Sequence, residues 1–463
     1  MAYSDSRKQA ATDAAQSVCD GLAAAYLPGR QTVILLPGGM GSQLNRSPTP
    51  YAGADIPLPS FVPFWITAGT IFDQNALELA IDSTGADKDD YIVVADGPLR
   101  FIGLASYEGT QKFFQDQGLN YAVFGYDWRR DLQEAALNLH DLLVNFQAAV
   151  TGQGHPDPLP TTSLLCHSQG GMVAKIYLDL PNSLAGALQY VITIATPFYG
   201  TGTHMQRYFV GDSTLNLLYN PDDVATITGG LPGPYVLMPM DRQTWQNRGG
   251  QLGVASYPVL APDGSPADPY DQGSLGGRYP AWMSGDYLED ARQARLALDA
   301  DLSPNLLAKV FHLLSDSTPT PAYFRWAALP AGFDPRITPC PLVPDPARGN
   351  LGMVGGDGTV PAFSAALAQA GNQALTVPTT QQHQDLAENA RCLQAVGMIL
   401  ANGTLPSAAQ LNAADETYSR PPTASPAEVQ QTLSAVGAGT IPRNDPRLND
   451  PAFQRGAARE FLK

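Results

Sequence analysis

Ser168 lies in the segment of this sequence that most strongly indicates covalent chemistry. It stands within the run SLLCHSQGGMVAKIYL, where an apolar, strand-like stretch is followed by a short turn and a glycine-led helical pattern. A strand–turn–helix of this kind is the nucleophile elbow, which exposes a serine oxygen at the carboxyl edge of a sheet. The pattern prefers glycine where Cys166 stands, but cysteine is small, and Gly170 keeps its place. A chance match in an ordinary strand–helix turn is the alternative.

A serine hydroxyl needs a base, and the base needs a carboxylate that orients it. In the fold that uses the elbow, the chain order is Ser, then Asp or Glu, then His. His383 follows the last strand-like run and opens the last helical pattern, so it is the predicted base. His204 comes too soon after a strand-like run. His312 lies inside such a run, where a buried structural histidine is the simpler interpretation.

Two aspartates compete for the role of the carboxylate. Asp357 lies in the glycine-rich turn GGDGTVP, and Asp316 directly follows the run Val310–Leu314. An aspartate in such a turn is often only a turn former. The position of Asp357 between the serine and the histidine nevertheless favours it. His167, beside the nucleophile, is predicted to point away from the site and to be structural.

Two backbone amides should face the oxyanion that forms when the serine attacks. One is predicted to be the N–H of Gln169, the residue after the nucleophile. The other should come from the loop after the run Thr32–Leu36, which reads LLPGGMGSQL. Its glycines Gly38, Gly39 and Gly41 allow the backbone to approach a substrate closely. A glycine-rich turn without a role is the alternative.

The elements that position these residues read as alternating strands and helices, which predicts a mostly parallel α/β sheet with helices on both faces. Short apolar runs, several of them continuous as in strands buried on both faces, predict strands. They are Thr32–Leu36, Tyr91–Ala95, Ala122–Phe124, Ser163–Cys166, Tyr190–Ile194, Val310–Leu314 and Ala374–Val377. Helical periodicity fits Thr110–Gln117, Gln133–Gln147, Gly170–Leu180 and Asp385–Leu400.

The rhythm of strands and helices divides the chain into three parts. Residues 1–26 form an N-terminal extension, 27–402 the main domain, and 403–463 an Ala/Pro-rich tail. Two long segments, about 46–90 and 201–302, interrupt the main domain. Insertions of this length usually form lids or caps over a site.

Composition excludes several functional classes. The 463 residues carry 27 basic and 43 acidic side chains, a net charge of −16, which argues against nucleic acid and anionic membranes as partners. No run of 18 apolar residues predicts a transmembrane helix. The four cysteines form no CxxC pair and the six histidines no HExxH, so we expect no metal and no cofactor. The N-terminus lacks an apolar signal segment, which favours a cytoplasmic location or leaderless export.

Six segments occur in the order found in one known family. The segments LPGGMGSQL, YDWRRD, CHSQGG, ITIATPFYGT and GGDGTVP, followed by His383, resemble the lecithin:cholesterol acyltransferase family, which includes lysosomal phospholipases and phospholipid:diacylglycerol acyltransferases. The resemblance runs from about Val33 to Leu400. It departs from the family in the first insertion, which has no cysteine, and in the tail, which matches nothing in it.

The resemblance implies an α/β-hydrolase fold with cap insertions and an esterase that forms an acyl-enzyme. By position it implies that the catalytic triad is Ser168, Asp357 and the late histidine. It also implies that Met40 supplies the second oxyanion amide. Asp127 and Trp128, within YDWRRD, match a segment that closes the wall of the site, and we expect both to be mainly structural.

Taken together, these observations predict a serine esterase acting on acyl esters of lipids, as a lipase or phospholipase or as an O-acyltransferase. Hydrolysis is favoured because it needs no second substrate site. Phe61, Phe64 and Trp65 in the first insertion suggest apolar contact with a lipid interface, with core packing as the alternative. The other hypotheses are a hydrolase of small or cyclic esters and a non-catalytic binding protein that keeps the fold.

Overall fold

In the computed structural model of the chain, the described part comprises residues 2–53, 56–65, 79–82, 85–101, 104–105, 107–210, 227, 229–274, 283–326, 342–345, 352–418, 424–442 and 445–461. Its strands are β1 Thr32–Leu36, β2 Ser42–Arg46, β3 Val62–Trp65, β4 Val93–Pro98, β5 Arg100–Phe101, β6 Leu104–Ala105, β7 Asn120–Val123, β8 Thr162–His167, β9 Val191–Ile194, β10 Val259–Leu260, β11 Val310–Leu314, β12 Thr318–Pro321, β13 Phe324–Trp326, β14 Leu342–Pro344, β15 Met353–Gly356 and β16 Gln373–Thr376.

The α-helices in the same ranges are α1 Ala2–Ala24, α2 Glu108–Asp116, α3 Leu132–Gly152, α4 Gln169–Asp179, α5 Gly202–Val210, α6 Pro232–Tyr235, α7 Arg242–Arg248, α8 Gly285–Asp299, α9 Pro304–Leu307, α10 His383–Leu386, α11 Ala390–Asn402, α12 Pro426–Gly437 and α13 Pro451–Phe461. Residues 66–78 of the first predicted insertion and 211–226 and 275–282 of the second lie outside the described residues.

Six strands form one parallel sheet in the order β16-β11-β9-β8-β1-β7. From β1 the chain first builds β7 on one side, then crosses back to build β8 on the other. Such a reversal is a topological switch point, where the loops at the carboxyl ends of the two strands diverge and leave a crevice. The loops that follow β1 and β8, which carry most of the predicted site residues, therefore meet at this crevice.

Both faces of the sheet are covered. Ile34 and Leu36 of β1 belong to a core formed with α1, α3 and α4, whereas Val33 and Leu35 face a second core that contains α2 and α11. Because side chains alternate between the faces and both faces are buried, the strands read as continuous apolar runs. A parallel sheet in this order with helices on both faces is the α/β-hydrolase fold, which confirms the predicted fold class.

Each of the seven predicted strands is present, with ends displaced by at most three residues. One of them, β4, lies outside the parallel sheet and pairs antiparallel with β2, because its second half is polar and partly exposed. The single helix predicted over Asp385–Leu400 is two helices, α10 and α11. The break occurs at Asn389, whose side chain accepts hydrogen bonds from the amides of Arg391 and Cys392 and so caps the second helix.

The first insertion contributes a three-stranded antiparallel sheet in the order β3-β2-β4, and the structure corrects its predicted role. Phe64 and Trp65 are only 4% and 2% exposed, since they pack into the core, and Phe61 is half-buried. The exposed apolar side chain of β3 is instead Val62. The Trp65 ring lies edge-on to Trp128, with ring centroids 5.5 Å apart. The expected contact of these aromatic rings with lipid is therefore wrong for Phe64 and Trp65.

A buried group of four charges fastens the end of this insertion to the segment YDWRRD. Arg129 binds both Asp127 and Asp87, at 2.8 and 2.7 Å, and Arg130 lies 3.1 and 2.9 Å from the same two carboxylates. None of the four side chains is more than 8% exposed. Burial alone would raise the pKa of Asp127, but the guanidinium groups outweigh it and lower the pKa to about 2.

Arg295 plays a similar fastening role for the second insertion. It lies on α8, is 1% exposed, and donates hydrogen bonds to the carbonyl oxygens of Phe198 and Met238. The bond to Phe198 ties the insertion to the loop that follows β9, and the bond to Met238 lies within the insertion. The described part of the segment is therefore packed against the body of the protein.

The two ends of the chain also pack against the main domain. Cys19 and Leu22 of α1 lie in the first core. In the tail, Val429 and Leu433 of α12 are fully buried in the same core. Tyr418, in the segment before α12, donates its amide hydrogen to Glu388 O at 2.8 Å. Both terminal regions thus share the core of the hydrolase domain.

The buried charge group generates a stability prediction. Replacing Arg129 with Met should leave Asp127 and Asp87 buried with too little positive charge, so we expect the free energy of unfolding to fall by about 3–5 kcal/mol. Urea denaturation measures the change. Arg447→Met is the matched control, because that side chain is 64% exposed in its ion pair and its loss should not shift the midpoint. Equal midpoints for both variants would contradict the assignment.

Candidate active site

Ser168 is held in a strained turn between β8 and α4. Its φ and ψ are 52° and −126°, an unfavourable conformation for a residue with a side chain. The Ser168 amide donates to Ile194 O at 2.9 Å and so fixes the turn to β9. The residue is half-buried at the carboxyl edge of the sheet. This is the geometry of a nucleophile elbow.

Two glycines allow α4 to start directly against the sheet. A Cβ at Gly170 would lie 2.5 Å from the carbonyl oxygens of Leu36 and Pro37, and one at Gly171 would overlap the Thr196 side chain. Both contacts exclude any larger residue without displacement of the helix. The glycines after the serine are therefore required by the close packing of helix and strand.

His383 links the serine to an aspartate. Its Nε2 lies 2.8 Å from Ser168 Oγ, and its Nδ1 lies 2.8 Å from Asp357 Oδ2. His383 is 5% exposed and Asp357 is 2% exposed, so the serine is the most accessible of the three. The structure thus brings together the three residues that the sequence predicts as a triad.

The second carboxylate oxygen of Asp357 is also occupied. Asp357 Oδ1 accepts hydrogen bonds from the amides of Thr359 and Val360 at 2.9 and 2.7 Å, which fixes the carboxylate within its turn. Oδ2 is left for the histidine. Asp316, the rival in the sequence, is exposed. The geometry favours Asp357 as the partner of the imidazole.

The loop after β1 approaches the serine closely. A Cβ at Gly38 would lie 3.0 Å from Ser168 Cβ, and one at Gly39 would lie 3.2 Å from Gln169 Oε1. The Gly41 amide donates to Gly38 O at 3.0 Å and closes the turn, in which Met40 has a φ of 63°. Gly38 and Gly39 therefore allow the loop to lie against Ser168 and Gln169.

The two predicted oxyanion donors, Met40 and Gln169, belong to this loop and to the helix that follows the serine. Gln169 is the first residue of α4, where amides have no acceptor within the helix. Met40 O accepts a hydrogen bond from Trp65 Nε1 at 3.2 Å, which anchors the loop to the first insertion. Trp128 packs behind Trp65, and Asp127 belongs to the buried charge group. Both YDWRRD residues thus have contacts within the fold, and their place in the wall of the site stays a prediction.

Tyr107, which the sequence analysis missed, is buried beside these residues. Its hydroxyl accepts the Gly38 amide hydrogen at 2.8 Å and lies 2.9 Å from His167 Nδ1. The other ring nitrogen of His167 lies 3.0 Å from His383 O. No motif surrounds Tyr107 in the sequence, so only the folded structure identifies it. The prediction that His167 points away from the site is wrong, because its ring lies beside that of His383, with centroids 5.0 Å apart.

Two buried histidines, His167 and His312, have no carboxylate in contact among the residues that the structure describes. Burial, together with the nearby His383 for one of them, lowers the pKa of His167 and of His312 to about 3. His312 binds Thr193 Oγ1 through Nδ1 at 2.8 Å, and its Nε2 has no hydrogen-bond partner among the described residues. His312 lies within β11, which agrees with its predicted structural role.

No group of three or more His, Cys, Asp or Glu side chains in the described ranges is arranged to hold a metal ion. Among the helices in the same ranges, none combines the length and the apolar character that a membrane span requires.

Protein-family profiles and curated proteins give no match to this chain. Solved structures, in contrast, do match the chain. A chain in the crystal structure of the Tle4-Tli4 complex aligns with a TM-score of 0.52 at 15% identity, over 80% of this chain and 98% of that one. Lipase BlEst2 of Bacillus licheniformis in its mature form aligns with a TM-score of 0.35 at 13% identity, over 82% of this chain and 94% of that one. Phospholipase PlaB of Legionella pneumophila gives 0.23 at 15% identity, over 38% and 40%. The first similarity agrees with the α/β-hydrolase fold, and the other two are too distant to bear on it.

The buried histidines predict a loss of stability in acid. An unfolded histidine takes up its proton near pH 6.5, whereas His312 in the folded protein does so near pH 3. Its contribution is therefore complete above pH 6.5 and declines by about 1.4 kcal/mol per pH unit as the pH falls between these values. Urea titrations from pH 7 to pH 4 should show a shallower decline for His312→Gln.

Leu313→Ala is the control for that comparison. The residue is the buried neighbour of His312 on β11, so its replacement should lower stability at every pH and leave the slope unchanged. A His312→Gln slope equal to that of the wild type would show that His312 takes up its proton with the same ease in the folded chain.

Proposed function

We propose that this protein is a serine esterase that cleaves acyl esters of lipids through an acyl-enzyme. One observation carries the proposal: His383 contacts both Ser168 Oγ and Asp357 Oδ2 at 2.8 Å in a chain order of Ser, Asp, His. A nucleophile, a base and an orienting carboxylate in hydrogen-bonding contact form the arrangement that activates a serine hydroxyl.

Each member of the triad has a distinct role in the proposed reaction. Ser168 Oγ attacks the ester carbonyl while its proton moves to His383 Nε2, and Asp357 stabilises the resulting imidazolium through Nδ1. The amides of Met40 and Gln169 bind the oxyanion. The imidazolium then returns the proton to the departing alcohol, which leaves the acyl group on the serine. Water, activated by the same histidine, releases the fatty acid and restores the serine.

Lipid esters are the proposed substrate class because six ordered motifs of this chain resemble those of the lecithin:cholesterol acyltransferase family. Hydrolysis is the simpler outcome, since it needs only water at the second step. Transfer to an alcohol uses the same residues and differs only in the acceptor. A small-ester hydrolase would keep the triad and reject long acyl chains, whereas a binding protein would keep the fold and lack turnover.

Substitutions in the triad test the catalytic assignment. Ser168→Ala and His383→Ala should each lower kcat by about four orders of magnitude or more, because nucleophile and base act as a unit. Asp357→Asn should lower kcat by a similar factor, since the asparagine amide does not hold the imidazole in the correct tautomer. The assay is release of nitrophenol from long-chain nitrophenyl esters.

Two matched variants control this test. Ser163→Ala changes another serine of the same strand, and Asp316→Asn changes the rival acid. Both should retain activity close to that of the wild type, and circular dichroism should show the same fold for all variants. If Asp316→Asn is inactive and Asp357→Asn is active, the acid has been assigned wrongly. Wild-type turnover by Ser168→Ala would overturn the serine mechanism itself.

The products formed from a natural lipid test the substrate class. The protein is mixed with phosphatidylcholine vesicles and a long-chain alcohol, with Ser168→Ala as the blank, and the products are read by mass spectrometry. We expect free fatty acid and lysolipid. An acyl ester of the alcohol would identify an acyltransferase. Turnover of acetyl esters without any product from the vesicles would contradict the lipid assignment and support a small-ester hydrolase.

A further inference from the structure

Tyr107, His167 and His383 form a continuous chain of hydrogen bonds. It runs from the loop after β1, called here the oxyanion loop, to the backbone of the proposed base. Gly38 N–H lies 2.8 Å from the Tyr107 hydroxyl, which lies 2.9 Å from His167 Nδ1. His167 Nε2 lies 3.0 Å from His383 O. Tyr107 is 7% exposed and His167 is 5% exposed, so water does not compete for these bonds.

The direction of every bond in this chain is fixed by its two ends. A backbone amide can only donate, so the Tyr107 hydroxyl accepts from Gly38 and has its own proton available for His167 Nδ1. A backbone carbonyl can only accept, so His167 carries its proton on Nε2, facing His383 O. All donors are matched to acceptors only when His167 is neutral and in this single tautomer.

The backbone of His383 is held on both sides as a result. Its carbonyl accepts from His167, and its amide donates to Asp357 O at 3.0 Å. The side chain has the two contacts of the triad described above. Position and orientation of the imidazole are therefore set by the residue that precedes the nucleophile and by the backbone of the acid.

Tyr107 is itself anchored to the segment that follows α10. It precedes α2 with a φ of 63°, and two bonds tie the first turn of that helix to this segment: Gly109 N–H to Glu388 Oε1 at 2.9 Å and Thr110 Oγ1 to Ala387 O at 2.7 Å. The hydroxyl thus sits on a framework joined to the same region that carries the proposed base.

We infer that Tyr107 and His167 are positioning residues that couple the oxyanion loop to His383. The inference rests on the proposed esterase function. Neither residue touches the substrate carbon. Together they align the oxyanion loop and the base, two groups that must act on the same tetrahedral intermediate.

Tyr107→Phe tests the coupling, because it removes one oxygen and keeps the ring that packs on His167 at a centroid distance of 5.7 Å. We expect kcat to fall by roughly 10- to 100-fold while KM changes by less than about threefold, since the loss affects groups that act in the transition state. Tyr257→Phe is the matched control. That hydroxyl is also buried and bonded, to Met240 O at 2.9 Å, and its loss should leave kcat within about twofold.

Two substitutions of His167 separate its two bonds. Gln places a donor near the position of the histidine Nε2 and can retain the bond to His383 O, whereas Asn places its polar group nearer to Nδ1 and loses that bond. We expect His167→Gln to keep more kcat than His167→Asn. Tyr107→Phe should lower kcat by a smaller factor in the His167→Asn background than in the wild type, because the chain of hydrogen bonds is already broken there.

A spectroscopic measurement tests the same inference without turnover. Nitrogen-15 NMR of labelled histidines should show His167, assigned from its loss in His167→Gln, as the neutral Nε2–H tautomer. Tyr107→Phe should shift the Nδ1 signal, since that nitrogen loses its donor. A His167 that carries its proton on Nδ1, or an unchanged signal in Tyr107→Phe, would overturn the inference.

The kinetic outcomes separate this inference from the proposed function. If Ser168→Ala is inactive while Tyr107→Phe turns over like the wild type, the coupling is wrong and the esterase assignment stands. If Ser168→Ala retains activity, the esterase assignment fails, and with it the inference. A parallel loss of kcat and thermal stability in both Tyr107→Phe and Tyr257→Phe would also overturn the coupling, because any buried hydroxyl would then have the same effect.

Discussion

The close approach of α4 to β1 is the constraint on which the site depends. The first turn of the helix lies so near the end of the strand that a methyl group at Gly170 would meet two backbone carbonyl oxygens at 2.5 Å. This packing forces the chain to reverse sharply at Ser168, which explains its positive φ. The serine is exposed at the switch point of the sheet because the helix leaves no room for a gentler turn. Buried contacts elsewhere in the domain compensate for the strain.

The parts of the structure that the sequence predicts well share a physical cause. The four central parallel strands, β11, β9, β8 and β1, are buried on both faces, so each is written as a largely apolar run. Thr32–Leu36 and Val310–Leu314 have the predicted ends. Ser168 and His383 follow strands of that sheet, whereas Asp357 follows β15, which pairs antiparallel with β12. The order Ser, Asp, His along the chain nevertheless favoured the three residues that lie in contact. The propensities of residues and their order along the chain describe local structure. In this region the local patterns agree with the tertiary structure.

The features that the sequence predicts wrongly, or does not predict, depend on contacts between segments that are far apart in the chain. Phe64 and Trp65 read as an exposed apolar stripe because the sequence does not show that Trp128 covers one of them. Tyr107 carries no motif, since its hydroxyl matters only through partners 69 and 60 residues away in sequence. The four buried charges near Asp127 are equally hidden, because their pairing joins two parts of the chain that no local pattern connects. Tertiary contacts of this kind leave little trace in a single sequence.

Three histidines of this chain illustrate how surroundings determine chemical use. His312 has a hydroxyl on one ring nitrogen and no hydrogen-bond partner within the described residues on the other. The positive charge that a second ring proton brings would therefore be buried without compensation. His167 faces a phenol and a carbonyl, and its Nδ1 can accept the phenol proton only when the ring is neutral. Only His383 has a carboxylate against one nitrogen and a hydroxyl against the other. A proton taken from that hydroxyl therefore arrives where a negative charge stabilises it, and the same residue type that is inert at two positions is suited to act as a base at the third.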